Sequence, residues 1–151
     1  YQGLLVEIGN LKKYETFLPS QDKNKKFLGK ALGKISSQTD FYQFGYDHII
    51  RKAKTVDVSW FNIRKMPSVF FEVEHSADIQ NSLLKFVELQ DYNAHFFIVA
   101  DEMRKNEYIG KLSLNAFVPI KTRVQFMDYD KLSDWHTKTF EIVSVENSLT
   151  F

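Results

Sequence analysis

The 151-residue chain contains no cysteine, which excludes both a disulfide framework and a thiolate zinc site. Any metal must therefore be held by oxygen or imidazole. No apolar stretch approaches the ~20 residues of a membrane span, and the N-terminus lacks the charged-then-apolar pattern of a secretory signal. A cytoplasmic location is the expectation. The chain has neither a glycine-rich phosphate loop nor a GxSxG elbow, which argues against a nucleoside triphosphatase or a serine hydrolase. His48, His95 and His136 have no ligand spacing such as HExxH. Internal repeats and low-complexity tracts are also absent.

What is present suits one core. At 44% hydrophobic and 15% aromatic content, 151 residues have the size of a single domain, taken as residues 1–151. The chain begins at Tyr1 rather than methionine, which suggests a domain excised from a longer polypeptide. Its net charge of +1 conceals an uneven distribution. Lys23, Lys25, Lys26, Lys30 and Lys34 follow one another with no acidic residue between them, and Arg51, Lys52 and Lys54 precede a β-rich run. Such a cluster is either a solvated helix face or a set of phosphate contacts.

Hydrophobic periodicity gives a mixed α/β order. Leu4, Leu5, Ile8 and Leu11 predict a helix over 2–13, followed by a short strand in YETFLP that Pro19 stops. The lysine-rich segment running into FLGKALGKIS reads as helical, and 38–54 as irregular. TVDVSWFN and SVFFEVEHS, on either side of IRKMP, predict an antiparallel hairpin. Ile79, Leu83, Phe86 and Val87 form one helical stripe, with Ser76 as a candidate cap and Asp78 in the first turn. AHFFIVAD reads as a central strand covered on both faces. Residues 103–114 then read as a helix, RVQFMDY as a strand and DKLSDWHTKTF as a final helix. Trp60 and Phe61 are expected in the core, and Tyr42, Phe44 and Tyr46 as packing residues rather than base-stacking platforms.

The segment FFEVEHSAD, residues 70–78, carries the chemistry. Strand alternation places Phe71 and Val73 on one face and Glu72 and Glu74 on the other. Two half-buried carboxylates on one face need a cation, a proton or a basic partner. His75 falls on the opposite face and reads as a packing or capping histidine. If Arg64 and Lys65 form the hairpin turn, residue numbers across it sum to 129 and Asp57 stands opposite Glu72, with Cβ atoms ~5 Å apart. Asp57, Glu72 and Glu74 would then converge, as hard divalent cations favour.

This arrangement resembles the PD-(D/E)xK superfamily of restriction-endonuclease-like nucleases: an acid on one strand, a glutamate on its hairpin partner, a functional residue two places on, then a helix and a buried strand. Asp57 matches the first acid and Glu72 the second. Glu74 stands where lysine is common, an ExE variant, and Val56 replaces the proline. The resemblance covers roughly residues 2–101. It implies a restriction-endonuclease-like core with a mixed central sheet flanked by helices, and a metal-dependent deoxyribonuclease of a restriction or DNA-defence enzyme. By resemblance, Asp57, Glu72, Glu74 and the Val73 carbonyl hold Mg2+, with Mn2+ as a substitute. Glu7 would supply a further acid from the first helix, and Lys85 would cover for the missing lysine. Lys23, Lys25, Lys26 and Lys30 would position the DNA backbone. The implied partners are DNA, other domains of the same polypeptide and a second copy in a homodimer. Two other classes stay open: an inactive DNA-binding or structural module of a larger assembly, and a protein-interaction domain with a merely solubilising basic segment.

Overall fold

The structure, a computed structural model, describes residues 1–37 and 41–149. It opens with helix α1 (Gln2–Leu11) and strand β1 (Glu15–Phe17), then a small hairpin of β2 (Lys26–Phe27) and β3 (Lys30–Ala31). Short helices α2 (Leu32–Ile35) and α3 (Asp47–Ala53) lead into β4 (Val58–Phe61) and β5 (Pro67–Glu74). Helix α4 (Ile79–Glu88), β6 (His95–Ala100), α5 (Lys105–Leu112), β7 (Val124–Asp128) and α6 (Tyr129–Ser148) complete the chain.

The main sheet has the order β1-β4-β5-β6-β7, antiparallel from β1 to β5 and parallel from β5 to β7. This is the expected mixed α/β architecture, a mixed central sheet flanked by helices and compatible with a restriction-endonuclease-like core. Both faces are covered. Ile79, Leu83 and Phe86 of α4 pack with Phe70, Phe96 and Ile98 on one side. Leu5, Val6 and Ile8 of α1 and Leu132 of α6 pack with Val58, Trp60 and Phe71 on the other. Phe70, Phe71, Phe86 and Phe96 are wholly buried, and each such side chain contributes roughly 1.5–3 kcal/mol. Trp60 and Phe61 are core residues, as expected.

The β4–β5 hairpin forms with a detail that spacing alone does not show. Val58↔Phe71, Ser59↔Phe70 and Trp60↔Val69 keep the sum of 129, while a bulge beyond Trp60 shifts the next pair to Phe61↔Pro67. The connecting loop is closed by Asn62 N donating to Met66 O at 3.0 Å, with Lys65 at φ 63°. The bulge absorbs one residue of loop length, so the register at the Asp57 end is the expected one.

Three local expectations are corrected. The lysine-rich segment is no continuous helix: Gly29, at φ 83°, permits a tight turn that folds it into the β2–β3 hairpin, and only Leu32–Ile35 is helical. Residues 47–53, expected to be irregular, form α3 because Ile50 and Ala53 have a core to enter; positions 38–40 of that stretch lie outside the described residues. The cap of α4 is Asp78, whose carboxylate accepts from Gln80 N, and not Ser76.

Candidate active site

Strand pairing brings Asp57 and Glu72 together at the open end of β4 and β5. Val73 N donates to Asp57 Oδ2 at 2.7 Å, and Asp57 N donates to Glu72 Oε2 at 3.3 Å. The two carboxylates are thus latched to each other's strands. Helix α4 then brings Lys85 across the same face. Its ammonium lies 2.6 Å from Glu72 Oε1 and donates to the Thr55 carbonyl at 3.0 Å. The Glu72 side chain is 2% exposed, so this lysine meets it with little water between them. Oε1 has no other polar partner among the described residues, and its approach to Lys85 is a close ion contact rather than an aligned hydrogen bond.

Burial pushes the Glu72 carboxyl well above the usual carboxylate range. The neighbouring Asp57 charge pushes the same way, and Lys85 offsets only part of it. Glu74 shares this face of β5, as alternation requires, but its carboxylate accepts a hydrogen bond from Ser82 Oγ on α4. Burial raises Glu74 as well, against the lowering pull of that hydroxyl.

A cleft of about 240 Å3 opens beside this group, lined by Gln2, Lys25, Lys26, Asp57, Val73 and His75, among others. Gln2 Nε2 donates to the Asp57 carbonyl and to Asp22 Oδ2, each at 3.1 Å, and so ties the start of α1 to the cleft. Lys25 lies 2.7 Å from the buried Asp22.

A family model described as the type II restriction enzyme NmeDI C-terminal domain matches residues 1–149. The chain belongs to that family. No curated protein and no solved structure matches it.

Within this restriction-enzyme domain, the structure joins some of the residues singled out by sequence and separates others. Asp57, Glu72 and Lys85 are brought together, with Val73 alongside. Glu74 is on the expected face but turned to Ser82. Glu7 is not part of the cleft: its Oε1 is 3.1 Å from His136 Nε2 on α6, and it borders a separate groove with Lys30 and Lys34. Lys25 and Lys26 stand at the cleft, while Lys23 lies with its ammonium over the Phe17 ring. Among the described residues, no three His, Asp or Glu side chains are gathered where they could hold a metal ion.

His75 departs from the packing role read from alternation. It is exposed at the cleft, one residue past the end of β5, with its ring 5.5 Å from that of Tyr129 and 6.0 Å from that of Tyr1. Its Nδ1 lies 2.9 Å from Tyr129 Oη, which donates its proton to the Glu74 carbonyl at 3.0 Å. Gln2 was missed for a different reason: an amide near a helix start has no pattern that distinguishes it from any other surface glutamine.

Proposed function

We propose that the domain is a metal-dependent endonuclease of the PD-(D/E)xK type that hydrolyses DNA phosphodiester bonds, an ExE variant whose lysine comes from α4. The observation that carries this reading is the meeting of Asp57, just before β4, with Glu72 of β5 and, through Glu72, Lys85 of α4, where Asp57 and Val73 open onto the cleft. In this reading residues 1–151 form one nuclease-like unit of a larger polypeptide, and the family's description as a C-terminal domain supports that placement.

The donor set fits a hard cation. Asp57 and Glu72 offer carboxylate oxygens, the Val73 carbonyl is adjacent, and a buried, charge-crowded glutamate gains from a positive neighbour. Mg2+ bound there, or Mn2+ in its place, would lower the pKa of a bound water and neutralise charge on the phosphate. The chain's own residues do the rest. Lys85 offsets negative charge as it grows at the phosphorus oxygens. Glu74, steadied by Ser82, orients the attacking water or assists a second cation. Lys25 and Lys26 hold the DNA backbone at the cleft without reading sequence.

Incubating plasmid DNA with the full-length protein, with and without Mg2+, tests this reading. Cleavage that needs Mg2+ and is lost in Asp57→Ala and Glu72→Ala is the expected result. One observation favours a second reading, an inactive DNA-binding module: the lack of a ready three-ligand cage among the described residues. Salt-dependent DNA binding with no cleavage under any divalent ion would select it.

A further inference from the structure

The β2–β3 hairpin has a feature that cleavage does not use. Its turn residues Leu28 and Gly29 both have positive φ, 50° and 83°. That is the backbone of a type I′ turn, in which asparagine or glycine is favoured at the first position. A leucine there is strained, and Leu28 is also 86% exposed. Neither its conformation nor its packing stabilises it where it stands.

The stem beneath this tip is fixed. The Phe27 ring rests against Gly3 of α1, where a Cβ would come within 2.2 Å of the ring carbon Cγ. Leu32 N donates to Lys25 O at 2.7 Å, and Gly33 N to Lys23 O at 2.8 Å. A braced hairpin thus presents an apolar tip between Lys26 and Lys30. Lys26 and Phe27 line the Asp57 cleft, and Leu28 and Lys30 border the adjoining groove.

We infer that Leu28 is a wedge that enters a groove of duplex DNA and loosens a base step while Lys26 and Lys30 take the flanking phosphates. This rests on the DNA-cleaving reading and adds to it how the duplex is held. Apolar wedges of this kind unstack and kink DNA, and their cost is least at flexible steps. Because the Leu28 side chain has no hydrogen-bonding atom, the wedge senses deformability rather than base identity. The positive charge on either side matches the polyanionic backbone at the place where an apolar side chain needs to leave water.

Leu28→Asn separates this role from folding, since asparagine suits the turn better and the variant's melting temperature should equal or exceed that of the wild type. Full-length wild type and variant are titrated with mixed-sequence DNA duplexes carrying 2-aminopurine, at low salt with EDTA. The wild type should raise 2-aminopurine fluorescence on binding. Leu28→Asn should bind roughly tenfold more weakly and without that rise, and its deficit should shrink on a duplex already opened by a mismatch. Equal affinity and an equal fluorescence rise in the variant overturn the wedge and leave the cleavage reading standing. Failure of the wild type to bind any duplex overturns the wedge, and Mg2+-dependent cleavage of plasmid DNA then decides the cleavage reading by itself.

Discussion

Glu72 is held between opposing demands. Burial and the Asp57 charge favour its neutral form, while Lys85 at 2.6 Å favours the anion. The balance lies toward the proton, so the folded-state pKa is raised above the ordinary value of 4.5. Between these two values the folded chain binds a proton that the unfolded chain has lost, and stability falls as pH rises through that window. Glu74, raised by burial, acts with the same sign. Urea denaturation of the metal-free protein across this range should therefore show the decline in the wild type and a shallower one in Glu72→Gln. An unchanged slope would mean that Glu72 is not the strained group. Added Mg2+ should raise the melting temperature of the wild type, and much less that of Glu72→Gln, because a cation that binds only the folded state stabilises it by mass action. Lys85→Ala addresses the other side of the pair: cleavage should fall about 100-fold or more, with affinity for DNA in EDTA little changed.

At the scale of elements, the braced hairpin makes its own prediction. Gly3→Ala gains up to ~1 kcal/mol of helix propensity but drives a Cβ into the Phe27 ring, an overpacking that costs ~1–3 kcal/mol. The net expectation is a lower urea midpoint, together with weaker DNA binding as the Leu28 tip shifts. A midpoint equal to or above that of the wild type would show that the stem is not braced there. This contact also marks where sequence stops being legible. The β4–β5 hairpin could be read because two β-rich runs flank IRKMP, and its register from a turn at Arg64 and Lys65, a sum that holds from Val58 to Trp60. Helix α4 could be read from its stripe of Ile79, Leu83, Phe86 and Val87, whereas Lys85 is singled out by the family resemblance alone and its ion contact with Glu72 is visible only in the structure. The β2–β3 hairpin could not, because two-residue strands have too few positions to show a period. Glu7 could be singled out as a lone acid in an apolar helix, but not its partner His136, which lies 129 residues away.

For the whole molecule, the proposed function has DNA held by a basic rim beside an acidic cleft, in a chain whose net charge is only +1. Lys26→Glu is the cleaner probe of that rim, because Lys25 is also paired with Asp22 and reversing it would disturb the fold near Gln2. Affinity for unrelated duplexes should fall to a similar degree, and the dependence of binding on salt should flatten by roughly the release of one or two counterions. Binding that keeps its salt slope would assign Lys26 to the solvated surface. Among the described residues no helix is long and apolar enough to cross a membrane. Single-turnover cleavage of plasmid DNA across a Mg2+ titration decides whether Asp57, Glu72 and Lys85 form a metal-dependent cleavage site. Full-length wild type should cut only with Mg2+ and Asp57→Ala not at all, although that variant still binds DNA. Equal cutting by wild type and Asp57→Ala would rule the site out.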